Sequence, residues 1–297
     1  MHIVDSQVHL WAAESPDRPW PAGRAQEAQK PYPILKETIL FQMDLAKVSR
    51  VVIVPPSWEG DRNDVALEAA RTYPDRFAVM GRLAVQKPES RALVADWRKQ
   101  PGMLGMRFTF HNEHYRHLLT DGSLDWFWPA AEKAGIPLMV LVPGALDHLD
   151  RIAGKHPGLK LVIDHVGISV RGKAPNVFDD LPNVCALAKH PNVAVKASGM
   201  PSLSAQAYPF HDLHPHSHAG GRLRPSSRVL GHRSHAHAVH VLRVHHALHR
   251  ASALAQGRGP RVGHGARRVR VAGLATPPEL IHRLTVAGVE ARATLKP

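Results

Sequence analysis

A repeated alternation of short apolar strands and helices constrains the fold of this chain more than any other feature. Some of the predicted strands, such as residues 51–54, are continuous apolar runs of the kind found in parallel sheets that are covered on both faces. The predicted strands follow one another at residues 3–8, 51–54, 77–83, 103–110, 137–142, 159–163 and 192–197. The helices predicted between them lie at residues 36–48, 61–71, 89–98, 124–134, 146–153 and 177–189. Seven such units predict an α/β fold with right-handed crossovers, a TIM-type (β/α)8 barrel. An eighth strand is needed to close it.

The first predicted strand carries polar side chains at alternate positions. Residues 3–11 read Ile-Val-Asp-Ser-Gln-Val-His-Leu-Trp, so that Asp5, Gln7 and His9 lie on one face of the strand. A carboxylate, an amide and an imidazole would then meet at the mouth of a barrel, where the active sites of this architecture lie. The alternative for this stretch alone is an ordinary first strand whose polar groups bond to the backbone.

Polar and aromatic side chains also follow the carboxyl ends of the other predicted strands. Any one of them alone is more simply explained as an ion-paired or hydrogen-bonded structural residue, but parallel strands bring all of them to one end of a barrel. We predict a site there, in which His165 and Lys196 are catalytic and His9 and His165 bind one divalent, zinc-like ion. Arg107, with Arg82 or Lys196, would hold a substrate carboxylate. The predicted substrate-binding residues are Trp58, Arg82, Arg107 and His111.

Almost all of the net positive charge of the chain lies in its C-terminal part. The formal net charge is +13, and residues 217–297 alone carry 13 Arg and one Lys against two acids. The same stretch has no Phe, Trp or Tyr. A strongly basic protein often binds nucleic acid, but a tail without aromatic side chains offers nothing for base stacking. We therefore divide the chain into a barrel at residues 1–216 and a basic tail at 217–297. We expect a small-molecule substrate and no specific nucleic-acid partner.

The cellular location is predicted from two further features. A single cysteine, Cys185, excludes an intramolecular disulfide framework and favours a reducing compartment. The N-terminus lacks a basic segment followed by a long apolar run, and no stretch approaches the length that crosses a bilayer. We expect a cytoplasmic protein with no membrane partner.

Three short motifs resemble the amidohydrolase-related family, in its branch of lactonases and predicted metal-dependent hydrolases. They are residues 4–11 (Val-Asp-Ser-Gln-Val-His-Leu-Trp), 162–167 (Val-Ile-Asp-His-Val-Gly) and 195–199 (Val-Lys-Ala-Ser-Gly). The resemblance covers residues 1 to about 216 and implies a barrel enzyme that hydrolyses a small lactone, ester or amide. A decarboxylase-type lyase of the same family is the alternative activity. In this family the first strand often ends His-x-His, the sixth supplies a His, and the eighth supplies an Asp that binds metal or acts as general base.

The chain departs from this family pattern in three places. Gln7 stands where the first His of the pair is often found, and a neutral amide is a much poorer zinc ligand than imidazole. Val142 and Pro143 stand at the end of the fifth strand, where several relatives carry another ligand. The Trp-Gly-Thr-Asp sequence of the eighth strand is missing. A divalent metal and a metal-independent mechanism that relies on cationic side chains are therefore both open.

The missing motif is recovered when the tail is read one base forward. Codons permitted by residues 230–238 then encode Trp-Gly-Thr-Asp-Leu-Thr-Arg-Met, and the same slip over residues 246–274 restores acids, aromatics and an amphipathic helix. We predict a frameshift near residues 214–218, with loss of the eighth strand, its Asp and the closing helix, and hence an impaired enzyme. The alternative is that the tail is a histidine-rich arm that binds metal ions or nucleic acid.

Overall fold

Seven parallel strands form a curled half-barrel in the computed structural model of the chain, which describes residues 3–111, 113–169, 176–196, 198–207 and 210–213. The strands are β1 (Val4–Val8), β2 (Arg50–Ile53), β3 (Phe77–Gly81), β4 (Met103–Thr109), β5 (Leu138–Leu141), β6 (Leu161–Ile163) and β7 (Val193–Val195). Each strand pairs with the next in sequence order. The predicted α/β barrel architecture is confirmed, and each predicted strand lies within a few residues of its expected position.

Helices connect successive strands and pack against the sheet. They are α1 (Lys36–Ala46), α2 (Asp64–Thr72), α3 (Ser90–Val94), α4 (Glu113–Arg116), α5 (Phe127–Lys133), α6 (Leu146–Lys155), α7 (Leu181–Ala186) and α8 (Met200–Leu203). Two of the predicted helices are divided between an α-helix and 3-10 turns. Residues 89–98 contain α3 and then a 3-10 turn, and residues 177–189 contain α7 with a 3-10 turn before and after it. Pro182 lies in the first turn of α7, where its fixed φ and missing N–H are tolerated, and it favours a helix start at this point.

The sheet separates two apolar layers. The larger layer lies between the strands and the helices and contains Ile53, Val79 and Phe127 among others. The smaller layer fills the interior of the half-barrel and consists of Val52, Val54, Met80, Met139 and Val162. Successive residues of a strand point to opposite faces, so one strand can contribute to both layers, as β2 does with Ile53 and Val52. Burial of this apolar surface is the main favourable contribution to folding.

A polar layer lies directly above the interior apolar layer, toward the carboxyl ends of the strands. Val162 on β6 is paired in register with Ala194 on β7. Asp164 and Lys196 come two residues later along these two strands, and side chains two residues apart share a face. Both side chains therefore point into the interior, where Arg107 of β4 contacts Asp164. The fold thus collects buried charges over an apolar floor.

The half-barrel is open between its first and last strands. Among the described residues, β1 pairs with β2 and β7 pairs with β6, and no strand bridges the space between β1 and β7. The tail at residues 217–297, the alternative reading of residues 230–238 and the frameshift near residues 214–218 lie outside the described residues, and they stay predictions.

None of the helices in the described ranges is long and apolar enough to cross a bilayer.

Candidate active site

The centre of the polar layer is a carboxylate held between two cations. Asp164 follows β6 directly and is completely buried. Its Oδ2 lies 3.0 Å from Nε of Arg107, and its Oδ1 lies 2.7 Å from Nζ of Lys196. Burial alone would raise the pKa of this carboxyl, but the charges of Lys196 and Arg107 outweigh burial and hold the pKa well below its usual range. Asp164 is therefore an anion at neutral pH.

Lys196 joins this carboxylate to the first strand. Besides Asp164, its ammonium contacts Oε1 of Gln7 at 2.5 Å and Sδ of Met139 at 3.3 Å. Burial lowers the pKa of Lys196, and the neighbouring Asp164 raises it. Asp5, two residues before Gln7, is also buried, and the positive charge of Lys196 acts on it. Asp5 and Gln7 thus face the interior of the half-barrel.

His165 lies between Gln7 and Ser198. Its Nε2 is 3.3 Å from Nε2 of Gln7. Its Nδ1 is 3.0 Å from Oγ and 3.2 Å from the carbonyl oxygen of Ser198. Burial and the charge of Lys196 lower the pKa of His165 to about 4, against the opposing effect of Asp164. The imidazole is therefore neutral at pH 7.

The backbone at His165 is strained. His165 and Val166 have φ angles of 51° and 57°, in the left-handed region that residues with a Cβ rarely adopt. Backbone hydrogen bonds to the neighbouring strand hold this turn: the N–H of Val166 donates to the carbonyl of Lys196 at 2.9 Å, and the N–H of Lys196 donates to the carbonyl of Ile163 at 2.8 Å. Such strain costs about 1–3 kcal/mol per residue and is concentrated at functional sites. The fold therefore imposes the position of His165.

His9 stands just after β1 and faces the same group of charges. Its Nδ1 lies 2.6 Å from the carbonyl oxygen of Val54, and because a carbonyl only accepts, Nδ1 carries the proton. Burial and the positive charges of Arg107 and Lys196 lower the pKa of His9 to about 4, although the bond to Val54 opposes this shift. Neutral His9 therefore has its lone pair on Nε2.

Arg82 is a buried cation with incomplete partners. It follows β3 directly, and the side chain of Asn63 holds its backbone by accepting from the N–H at 2.7 Å and donating to the carbonyl at 2.9 Å. Its Nε lies 3.4 Å from Oδ1 of Asp61, and neither Nε nor Nη1 has a hydrogen-bond partner among the described residues. Burial lowers the pKa of Arg82 to about 10, so the guanidinium stays charged at neutral pH. It lines a pocket together with Phe108, Thr109, Phe110 and Tyr115.

Comparison with known proteins assigns the chain to a family. The family model described as amidohydrolase matches residues 4–230. The chain belongs to the amidohydrolase family. The resemblance that three motifs predict is thereby confirmed, and the match runs past the predicted boundary at residue 216. Family membership identifies an enzyme of the hydrolase class. No curated protein matches the chain.

Several solved structures share the fold of this amidohydrolase. A probable 2-pyrone-4,6-dicarboxylic acid hydrolase from Acinetobacter baumannii, solved with citric acid bound, is 16% identical with a TM-score of 0.57 over 82% of this chain and 91% of that one. An amidohydrolase from Burkholderia multivorans with bound zinc is 21% identical with a TM-score of 0.58 over 75% and 79%. A putative 2-pyrone-4,6-dicarboxylic acid hydrolase from Pseudomonas putida is 22% identical with a TM-score of 0.54 over 75% and 77%. At these identities the likeness shows the fold alone.

The other two predicted substrate-binding residues of this amidohydrolase lie at the same end of the sheet. Trp58 belongs to the 3-10 turn Ser57–Glu59 after β2 and is buried. Its ring packs edge to face against Trp11 and Trp20, with centroid distances of 5.7 and 4.7 Å. His111 lies two residues after β4 and is partly buried. Trp58 therefore packs within an aromatic cluster, and substrate contact by either residue stays a prediction.

The described donor set of this amidohydrolase does not fit a divalent ion. Within the described ranges, no three His, Cys, Asp or Glu side chains come together in a way that could hold a metal ion. Asp164 is already paired with two cations, and both ring nitrogens of His165 contact other groups of the chain. The Lys196 ammonium and the Gln7 amide occupy space beside them, and neither group is a good zinc ligand. The predicted ligand pair, His9 and His165, is therefore not completed to a metal site by the part of the chain that the structure describes.

Two members of the polar cluster are absent from the predicted site residues. Asp164 enters the sequence argument only through the motif at residues 162–167, and Ser198 only through the motif at residues 195–199. A signal for Asp164 exists, because a carboxylate at the end of a buried strand must find a cation, and Arg107 and Lys196 follow from equivalent strand positions. No local sequence pattern predicts the hydrogen bonds of Gln7.

Proposed function

We propose that this amidohydrolase hydrolyses a small lactone, ester or amide that carries a carboxylate. The observation that carries the proposal is Arg82, whose Nε and Nη1 lack hydrogen-bond partners among the described residues although the side chain is buried. A buried charge without full partners is costly, and a carboxylate that accepts a hydrogen bond from one of these nitrogens reduces that cost. The pocket beside Arg82 is otherwise largely apolar and aromatic, as small-molecule sites usually are.

Neighbouring cations would stabilise the charge that develops on a carbonyl oxygen during hydrolysis. Lys196 and Arg107 place two positive charges in a buried interior, where electrostatic interactions are stronger than in water. In this proposal the charge of Lys196 stabilises the negative charge on the carbonyl oxygen. His165 is held beside Lys196 by hydrogen bonds to Gln7 and Ser198. Neutral His9, with its lone pair on Nε2, is the candidate that accepts a proton from water. No step is assigned to a metal ion.

The candidate general base of this mechanism, His9, is a weak base. A pKa of about 4 makes His9 a poor proton acceptor at pH 7. The Asp that the family resemblance places on the eighth strand has no counterpart after Asp212 in the written sequence. Loss of a positioned base commonly reduces a rate by ~100-fold to 10,000-fold. We therefore propose that the written chain binds its substrate but turns it over slowly.

The proposed substrate class agrees with the substrates named for two proteins of the same fold. The proteins from Acinetobacter baumannii and Pseudomonas putida are described as probable and putative 2-pyrone-4,6-dicarboxylic acid hydrolases, and the first holds citric acid. Both of these compounds carry several carboxylates. Because likeness at these identities shows the fold alone, the proposal for this chain rests on Arg82 and its pocket.

Partners and location remain expectations of the sequence. One structure of the same fold contains zinc, and the divalent ion expected at His9 and His165 stays a prediction for this chain. We propose that the basic tail binds polyanions only weakly, without sequence preference and with steep salt dependence. The cytoplasmic location likewise stays a prediction.

A lactone panel tests the proposed reaction. It contains carboxylated lactones and their methyl esters, and the enzyme is tested both as written and with its tail rewritten in the shifted frame. We expect slow hydrolysis by the written chain, at least ~100-fold faster hydrolysis by the rewritten chain, and a preference for the carboxylated compounds. Arg82→Met should raise KM for the carboxylated substrate ~10-fold to 100-fold and leave the methyl ester nearly unchanged, since a hydrogen bond to a charged group contributes about 1.5–3 kcal/mol.

Arg50→Met is the matched control, because Arg50 is exposed at the opposite end of the strands. Failure of both chains to hydrolyse any compound would overturn the proposed reaction. Equal KM values for Arg82→Met and the unmodified chain would overturn the role of Arg82. Release of carbon dioxide from the substrate carboxylate would instead support the decarboxylase-type lyase.

A further inference from the structure

The orientation of the Gln7 side chain is determined by Lys196. An ammonium group has three donors and no acceptor, so an amide that faces it must present its oxygen. The Oε1 of Gln7 lies 2.5 Å from Nζ of Lys196, and the same ammonium contacts Asp164 at 2.7 Å. The amide nitrogen of Gln7 is consequently directed to the other side, toward His165.

The amide nitrogen of Gln7 in turn determines which ring nitrogen of His165 carries the proton. An NH2 group only donates, so the Nε2 of His165 at 3.3 Å must accept. The carbonyl contact at the other end of the ring agrees with this assignment. The Nδ1 of His165 lies 3.2 Å from the carbonyl oxygen of Ser198, which only accepts, and 3.0 Å from its Oγ. Both contacts are satisfied when the proton is on Nδ1.

We propose that Gln7 is a positioning residue, which Lys196 orients so that it holds His165 as the neutral Nδ1–H tautomer and withholds its Nε2 lone pair from metal ions. The hydrogen-bond sense then runs in one direction, from the Lys196 ammonium through Gln7 and His165 to Ser198. The importance of this relay for turnover rests on the proposed function, whereas the tautomer itself does not.

Two consequences distinguish this arrangement from the alternatives at the same site. A serine nucleophile would need Nδ1 of His165 to accept the proton of Ser198, but in this relay Nδ1 already carries a proton, so Ser198 is not activated. A metal ion bound at Nε2 would have to displace the amide of Gln7 and would remove one acceptor from the buried Lys196. A proton on Nε2 would face the NH2 donor of Gln7 instead of an acceptor.

Nitrogen-15 NMR of the imidazole rings in the full chain tests the proposal. The signals of His165 are identified by their loss in His165→Asn. We expect Nδ1 to be protonated and Nε2 unprotonated at neutral pH. Gln7→Glu should move the proton to Nε2, since a carboxylate accepts on both oxygens, and Gln7→Met should give a mixture of tautomers. The exposed Gln26→Glu is the matched control and should leave the spectrum unchanged.

The measurement overturns the proposal if the unmodified chain shows Nε2 protonated. It also does so if Gln7→Glu folds with an unaltered circular dichroism spectrum and keeps the original tautomer. Neither result depends on activity, so the proposed hydrolysis can fail while this inference stands, and the reverse.

Zinc titration of the full chain gives a second, independent readout. Gln7→His removes the amide donor and adds an imidazole beside His165, and we expect the variant to gain a zinc site at least ~10-fold tighter than any in the unmodified chain, measured against a chromophoric chelator. Gln26→His adds a surface histidine and controls for adventitious binding, including binding by the histidines of the tail. Equal zinc affinities of Gln7→His and Gln26→His would contradict a role for Gln7 in withholding Nε2.

Discussion

Two arginines at the same end of the sheet are equally buried but differently paired. Arg82 and Arg107 are 6% and 5% exposed, and they lie at or near the carboxyl ends of neighbouring strands. Arg107 donates from Nε to Asp164 at 3.0 Å and from Nη1 to Oγ1 of Thr109 at 2.5 Å. Oδ1 of Asp61 lies 3.4 Å from Nε of Arg82. The Nε and Nη1 of Arg82 lack hydrogen-bond partners within the described residues.

The difference in pairing separates two uses of a buried charge. Removing a charge from water costs several kcal/mol unless good geometry and further hydrogen bonds offset that cost. Arg107 meets this condition inside the protein, so its charge holds Asp164 and contributes to the field of the site. Arg82 does not, and a ligand carboxylate would complete its partners. The paired cation is thus expected to stabilise the fold, and the incompletely paired one to serve binding.

The largest expected effect comes from removing the carboxylate of the paired cluster, which consists of Asp164, Arg107 and Lys196. Asp164→Asn leaves Arg107 and Lys196 as buried cations without their common counter-charge. We expect the free energy of unfolding to fall by about 3–5 kcal/mol, as for other broken buried ion pairs. Urea denaturation followed by circular dichroism measures it, with the exposed Asp147→Asn as control. A loss below about 1 kcal/mol would mean that the cluster contributes little to stability.

Substitution of the two arginines should change the free energy of unfolding differently, and by less than Asp164→Asn does. Arg107→Met leaves Asp164 with Lys196 as its remaining close cation and should destabilise the protein by about 2–4 kcal/mol. Arg82→Met replaces an incompletely paired buried charge with an apolar side chain and should be neutral or stabilising by about 1 kcal/mol. Melting temperatures and urea midpoints of both variants measure the contrast. Similar losses of stability in the two variants would contradict the distinction between the fully paired Arg107 and the incompletely paired Arg82.

The smallest expected effect is a pH dependence caused by the histidines beside the paired cluster. The folded-state pKa values of His9 and His165 are lowered to about 4 from an ordinary value of 6.5. Between these values the unfolded chain takes up protons that the folded chain does not, so stability falls as the pH falls. A shift of this size in one histidine lowers the unfolding free energy at pH 5 by about 2 kcal/mol relative to pH 7.5. His165→Asn should remove the contribution of one ring, and a flat profile in the unmodified chain would show that the protein does not lower the pKa of these rings.

The strands could be predicted because their signals are local. A buried parallel strand needs a short apolar run bounded by turn residues, and each run of this chain shows that pattern in its own sequence. Helix starts are less local. The helix predicted at residues 61–71 begins at Asp64, because the side chain of Asn63 is bound to the backbone of Arg82, 19 residues further along the chain. No periodicity within the helix contains that contact.

The sequence by itself determined which charged side chains would stand at the carboxyl ends of the strands, since alternation along a strand and the parallel order of strands follow from backbone geometry. Only the tertiary structure decided how those side chains are paired, with Asp164 between Arg107 and Lys196 and with Arg82 left incomplete. Charge pairing and hydrogen-bond sense depend on separations of about 3 Å between groups that are far apart in the chain. Gln7 and Lys196 are 189 residues apart, and neither local pattern carries information about the other.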